Sequence, residues 1–181
     1  MEVYALRFRI YYPPKHNIMR VHNPGLAEKY EKELDKVKEH VEKLLYKPLK
    51  EFLADFYMWK SFRERIEDLY RVLKSVSINT ITERAYLLVS DFTRRASEEL
   101  KSLVEEGINK LLSRTISTLE KDGWNIGERK ISFSGVNENY IEYEIPATKK
   151  FEGITASIRI KVSLFLGSAE VEDIVVLISY I

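Results

Sequence analysis

The chain has 181 residues, of which 45% are hydrophobic and 31% charged, with only 7 glycines and 5 prolines. This composition excludes a disordered or fibrous chain, and the length suits one domain that buries about 70% of the surface its unfolded form exposes. The net charge of +1 excludes a global field for nucleic acid or anionic membranes, and the absence of cysteine excludes disulfides, thiol catalysis and thiolate metal sites.

A strand is predicted over residues 1–12. Between residues 3 and 12, apolar and polar side chains alternate, so that Leu6, Phe8 and Ile10 fall on one side. Arg7 and Arg9 fall on the other side. The pattern is typical of a half-buried strand.

Residues 13–25 are expected to form a loop without regular structure. Proline stands at positions 13, 14 and 24, and turn residues lie between them. A loop of this length is unusual in a compact domain, and such loops often carry function.

A helical part is predicted over residues 26–121, in three segments. The first has a heptad seam of Tyr30, Leu34, Val37, Val41 and Leu44, which is the pattern of a helix that meets a partner helix along one narrow face. Pro48 then either begins a second helix or kinks one long helix. The second segment carries a broad apolar arc, and we expect it to be the most deeply buried helix.

The third segment runs from about residue 82 to 121, with N-cap candidates at residues 79–82. A straight helix of this length would measure about 60 Å, which exceeds the size of a compact domain of 181 residues. It must therefore break, with Gly107 as the expected place, or protrude as part of a helical hairpin.

After residue 129 the apolar period changes to two, which predicts an antiparallel meander over residues 129–181. The strands are expected at 130–134, 140–146, 154–166 and 171–181, with the Lys149–Lys150 doublet at a hairpin tip. The last strand is apolar on both faces, so we expect it inside the sheet, beside the N-terminal strand. Its second face, with Val175 and Leu177, requires a cover from a helix of this chain or from another subunit.

These elements predict one α+β domain over residues 1–181. Long helices, with the possible helical hairpin, pack on an antiparallel sheet of one N-terminal and about four C-terminal strands. The first residues lack the layout of a signal peptide, and no apolar run reaches the roughly 18 residues of a membrane span, so we expect a cytoplasmic protein without membrane contact. The absence of glutamine with abundant Lys and Glu indicates a thermophilic source.

Basic residues gather near the N-terminus, where four cations face Glu2 as the only acidic residue within the first 25 positions. A phosphate or another anion could dock there, and nucleic acid could stack on Tyr11 or Tyr12. The candidate contacts are Arg7, Arg9, Lys15, His16, Arg20 and His22. The alternative is a solvated connection from strand to helix.

His16 and His22 could also act as an acid/base pair or as metal ligands, but neither has a carboxylate within five residues, and no metal-binding spacing occurs. His40 is expected to face solvent among charges. The aromatic residues of the second helical segment could line an apolar pocket, although helical spacing favours a core. The sequence predicts no cofactor, no metal and no catalytic residue.

Four functions remain open. The favoured one is a non-catalytic interaction or scaffold protein, with a homodimer as its simplest form, that associates through the seam and through Val175 and Leu177. The alternative is a nucleic-acid-binding protein that uses residues 13–25. An enzyme working through His16 or His22, or a binder of small apolar ligands, is less favoured.

Overall fold

The computed structural model describes residues 5–75 and 83–181, with the backbone alone for residues 83–90. The predicted N-cap at residues 79–82 and the first four residues of the predicted strand lie outside the described residues. Within the described ranges, the helices are α1 (Pro14–His22), α2 (Pro24–Met58), α3 (Lys60–Ser75), α4 (Glu83–Leu111) and α5 (Ser113–Lys121). The strands are β1 (Leu6–Ile10), β2 (Asn125–Ile126), β3 (Lys130–Ser134), β4 (Tyr140–Phe151), β5 (Ile154–Phe165) and β6 (Glu170–Tyr180).

The strands form one sheet in the order β1-β6-β5-β4, and the short strands β2 and β3 both pair with β4. The α+β class and the position of β1 beside β6 are therefore confirmed. The expectation of a purely antiparallel sheet is wrong at β1, which runs parallel to β6 with Leu6 opposite Ile174 and Ile10 opposite Ile178. A parallel pair needs a long crossover, and the helices together with the other strands provide it here.

Helix α2 lies across the covered side of the sheet and carries the largest share of the helical core. Leu34, Val37 and Val41 are at most 3% exposed, and the buried stripe then continues through Leu45 and Leu49. The predicted heptad seam has Leu44 where the structure buries Leu45 instead. A straight helix has 3.6 residues per turn, so its buried stripe drifts away from a strict heptad as it crosses a sheet.

Residues 13–25 are helical, so the predicted loop is wrong. Pro14 and Pro24 occupy the first turns of α1 and α2, where a missing N–H is harmless and the fixed φ favours the helix. Asn23 separates the two helices: its N–H donates to the Met19 carbonyl, and its side chain accepts from the Leu26 N–H at 3.2 Å.

Of the two alternatives for Pro48, the structure has the single long helix: α2 passes through Pro48 and ends at Met58, with Trp59 as its C-cap. The predicted break at Gly107 is wrong, because Leu112 separates α4 from α5. Gly107 has a packing role instead, since a Cβ there would overlap the Phe62 ring of α3. The glycine allows these two helices to approach closely.

The hairpin between β4 and β5 turns three residues later than predicted. Lys149 and Lys150 belong to β4, and the turn is formed by Glu152 and Gly153, whose φ of 88° suits glycine. The strand β2 was not predicted, because a pair of residues is too short to show a period.

Candidate interaction surface

One face of the sheet is covered by helices and the other is not. Along β5, the residues from Ile154 to Leu164 are alternately buried and half-buried, and β4 and β6 show the same alternation. In the described ranges, therefore, the helices cover a single side. We call the other side the open face; it includes Arg7, Arg9 and Tyr11 with β1, Asp173, Val175, Leu177 and Ser179 of β6, Ser157, Arg159, Lys161 and Ser163 of β5, Tyr140, Glu142, Glu144 and Pro146 of β4, and Lys130 and Ser132 of β3.

Val175 and Leu177 form the apolar centre of the open face. Both are half-buried, whereas their neighbours Ile174, Val176 and Ile178 on the covered side have no exposed surface. The sequence predicts that a helix of this chain or another subunit covers Val175 and Leu177. No helix in the described part of the chain does so. Two apolar side chains therefore stand between charged ones in the middle of the sheet.

The charges on the open face are polarised across the strands. Arg7 and Arg9 flank the apolar centre on β1, and Arg159 and Lys161 flank it on β5. The acidic residue within this half is Asp173, whose Oδ2 is 2.6 Å from Arg7 Nη2. One half of the face is therefore basic.

Strand β4 carries the opposite charge with Glu142 and Glu144. Arg159 Nη1 lies 3.6 Å from Glu144 Oε1, an atom that is buried without a hydrogen bond. Arg9, Lys161 and Glu142 have no ion pair or hydrogen bond within the described ranges. These three side chains are free to meet a partner.

A groove of about 520 Å³ lies at the β3–β4 side of this face. Its walls combine basic and acidic groups, namely Arg129, Lys130, Lys161, Glu142 and Glu144 together with Ser132 and Ile131. Mixed charge suits a protein surface better than a small apolar ligand.

The predicted anion contacts do not form one surface. Arg7 and Arg9 project on the open face, while Lys15, Arg20 and His22 belong to α1, which is tied to the covered side of the sheet. Arg20 is bonded to Glu31. The sheet thus separates the two groups of cations.

His16 of α1 is fully buried and not part of an exposed basic loop. Its Nδ1 lies 2.8 Å from the Tyr180 hydroxyl, its Nε2 lies 3.1 Å from Glu31 Oε1, and its ring stacks on Tyr12 at 4.5 Å. The orienting carboxylate comes from α2, fifteen positions along the chain, and so escaped a search of close neighbours.

The cluster around His16 combines an imidazole, a carboxylate and a phenol, and the His16 ring at its centre has no exposed surface. Hydrogen bonds from His16 and Arg20 lower the pKa of Glu31, and burial raises the pKa of Tyr180. The phenol can donate to a neutral imidazole or accept from a protonated one, so both charge states are satisfied. The cluster joins α1 and α2 to the end of β6.

His40 does not simply face solvent, contrary to the sequence prediction. Its Nε2 lies 2.7 Å from Asp122 Oδ2, which also accepts from Trp124 Nε1 at 3.0 Å. Lys149 adds a bond to the Asp122 carbonyl. Burial opposes ionisation of Asp122, but the bonds from His40 and Trp124 and the Lys149 charge outweigh it and lower the pKa. This cluster joins α2, the end of α5 and β4.

The predicted interface residues are also divided. Leu34, Val37 and Val41 are buried in the core of the chain, Tyr30 stacks on Tyr180 at 4.8 Å, and Leu44 is half-buried. The seam therefore has its contacts within the chain. Of the predicted set, Val175 and Leu177 face away from the core.

No cluster of three or more His, Asp or Glu side chains that could hold a metal ion occurs in the described part of the chain. Among the helices of the described ranges, none combines the length and the apolarity required to cross a membrane. Comparison with known protein families, with curated proteins and with solved structures finds no match to this chain.

Proposed function

We propose that this protein is a non-catalytic interaction protein that binds a protein partner through the open face. The observation that carries the proposal is the pair Val175 and Leu177, which lies at the centre of the sheet and which no helix of the described ranges covers, while the other face packs under the helices. Apolar side chains at the centre of a patch with a polar rim are the usual composition of a protein interface.

The size of the open face supports the proposal. Strands β4, β5 and β6 have 12, 12 and 11 residues, and β1 and β3 have 5 residues each. At about 3.3 Å per residue and about 4.8 Å between strands, the five strands together cover roughly 700 Å². This area is close to the approximately 800 Å² that each partner contributes to a standard interface.

The proposal is tested by placing a charge in the apolar centre. Leu177→Glu is compared with Val72→Glu, which changes a residue of α3 that is 43% exposed and is not part of the open face. Sedimentation at tens of micromolar, and affinity purification from the native host, should show association for the wild type and the control but not for Leu177→Glu. Association that is the same in all three proteins would contradict the proposal.

Nucleic-acid binding is the second candidate, and the cations that now favour it belong to the open face. Arg9 and Lys161 have no ion pair within the described residues, and Arg159 lies over the Tyr11 ring at 5.9 Å, an arrangement to which a single strand could bind. Binding of RNA or DNA at low salt that is lost in Arg9→Ala/Lys161→Ala, but kept in Lys15→Ala/Arg20→Ala, would favour this candidate. No binding at low salt would dismiss it.

A further inference from the structure

We infer that the outer edge of β1 accepts an added strand from a partner protein, in which carboxylates alternate with apolar side chains. The inference concerns this edge and not the apolar centre of the open face, so it does not depend on the proposed function. It is carried by the backbone groups that β1 leaves unpaired and by the side chains on its two faces.

Strand β1 stands at the end of the sheet order and is paired with β6 alone in the described part of the chain. The Ala5 carbonyl accepts from a β6 N–H, and the Tyr11 N–H donates to a β6 carbonyl. In a parallel ladder, every second residue of a strand bonds to the neighbouring strand. Arg7 and Arg9, which lie between these two residues at the same spacing, therefore also bond to β6.

The backbone groups of Leu6, Phe8 and Ile10 consequently point away from β6, towards the outer edge of the sheet. Within the described ranges, none of these groups has a hydrogen bond to another backbone or side-chain group. The three N–H groups and three carbonyls match the row of groups that an extended chain presents. Such an edge is a template for the addition of a strand.

The apolar side chains of β1 also indicate a missing neighbour. Leu6, Phe8 and Ile10 lie on the covered side of the sheet, as Ile174 and Val176 of β6 do. The two β6 residues have no exposed surface, whereas the three residues of β1 are only half-buried. Alternate side chains of an added strand would lie directly beside these three, so apolar residues at those positions would bury them.

The opposite face of β1 determines the charge of the partner. Arg7 and Arg9 are both exposed there. Arg7 is bonded to Asp173, but Arg9 has no ion pair within the described residues. Side chains of an added strand across from these arginines would share their face of the sheet, and opposite charges in that position stabilise a strand pair. The partner strand is therefore acidic on this face.

A second copy of β1 does not fit this edge. If two β1 strands paired in an antiparallel ladder around a two-fold axis at Phe8, each Arg7 would lie opposite Arg9 of the other copy. An axis at either arginine would set that arginine opposite itself. Like charges directly opposite one another destabilise a strand pair, and charged side chains on edge strands protect against self-pairing. The same arginines attract an acidic strand.

The test uses a peptide in which four glutamates alternate with four valines, with a lysine–valine peptide of the same length as its control. Fluorescence anisotropy at low salt should show at least tenfold tighter binding of the glutamate peptide. At saturation, hydrogen exchange at the amides of Leu6, Phe8 and Ile10 should slow, because these N–H groups point outward. Absence of binding by the glutamate peptide overturns the inference.

Phe8→Pro tests the backbone of the edge. Proline removes the outward N–H and blocks the approach of a strand, while the bonds of Arg7 and Arg9 to β6 remain. Phe8→Ala, which loses the same ring but keeps the N–H, is the matched control, and melting temperatures show that both proteins are folded. The glutamate peptide should bind Phe8→Pro at least tenfold more weakly than Phe8→Ala. Equal binding to the two variants contradicts strand addition.

Arg9→Glu tests the charge in a protein whose backbone is unchanged. The change breaks no ion pair of the described residues, and it should lower the preference for the glutamate peptide over the lysine peptide at least tenfold. A preference that is the same as in the wild type overturns the acidic partner.

Leu177→Ala separates the edge from the open face. The glutamate peptide should bind this variant as it binds the wild type, and weaker binding would place the peptide on the open face and overturn the inference. A wild-type dimer that Phe8→Pro abolishes would assign the edge to a second copy and overturn it as well. Loss of the proposed function in the Leu177→Glu experiment leaves all of these outcomes unchanged.

Discussion

The two faces of the sheet have the same strands but different sequence requirements. On the covered face, Ile174, Val176 and Ile178 pack under α2 and have no exposed surface, so they stabilise the fold. On the open face, Val175 and Leu177 alternate with them along the same strand and meet no helix of the described ranges. The stability of the described chain does not require apolar residues at these positions, and the proposed association would account for them.

The largest expected effect compares two adjacent residues of β6. Ile178→Ala removes a fully buried side chain and should lower the free energy of unfolding by about 2–5 kcal/mol through lost contacts and a cavity. Leu177→Ala, measured at concentrations where the protein is a monomer, should cost under about 1 kcal/mol because the side chain is already partly exposed. Urea unfolding of both variants measures the difference, and equal losses would show that the open face is packed within the chain.

A second effect concerns His16, a polar residue that is fully buried on the covered side. His16→Phe keeps the ring but leaves the Tyr180 hydroxyl and Glu31 without their imidazole partner, so it should cost about 1–3 kcal/mol. His22→Phe, at an exposed position of the same helix, is the control and should be close to neutral. If both variants unfold alike, the cluster does not hold α1 in place.

The same cluster predicts how stability depends on pH. The folded-state pKa of Glu31 lies below its usual value of 4.5 because His16 and Arg20 bond to the carboxylate. Its contribution is therefore complete above pH 4.5 and is lost as the pH falls through the folded-state pKa. Glu31→Gln should be less stable than the wild type at pH 6, and the gap should close as the pH falls.

Glu28→Gln provides the control for that measurement, since Glu28 forms an exposed pair with Lys32. Between pH 6 and pH 2, the free energy of unfolding of Glu28→Gln should stay close to that of the wild type. A gap for Glu31→Gln that is constant across the range would mean that the carboxylate bonds do not stabilise the fold.

The smallest expected effect is on the open face. Arg9→Ala removes a cation that has no ion pair in the described part of the chain. It should change the stability of the monomer by less than about 0.5 kcal/mol, although it should weaken the proposed association. Thermal melting of the dilute protein, combined with sedimentation of the concentrated protein, separates the two effects. A large loss of monomer stability would assign Arg9 to the fold instead of an interface.

Local patterns predicted some features well. The alternation from Ile154 to Leu164 defined a strand and its two faces, and the double apolar character of β6 located it within the sheet. The direction of β1 could not be predicted, because a strand has the same side-chain period in a parallel and an antiparallel pair. Prolines at positions 14 and 24 suit a loop and also a helix start, so the sequence pattern alone does not distinguish the two.

Contacts between elements that are far apart in the sequence could not be predicted from local patterns. His16 and Glu31 come together because α1 folds back along α2, and Gly107 faces Phe62 because α3 lies against α4. The open face itself was anticipated through Val175 and Leu177, but its charges were not, because Arg9, Lys161 and Glu142 join one surface only when the strand order is known.

The most direct test of the central claim is the labelling of lysine amines as a function of protein concentration. Lys161 lies at the centre of the open face, and Lys43 of α2 is 77% exposed and serves as the reference within the same chain. We expect the labelling of Lys161 to fall as the protein associates while that of Lys43 stays constant. Labelling of Lys161 that does not change between dilute and concentrated protein would contradict the account.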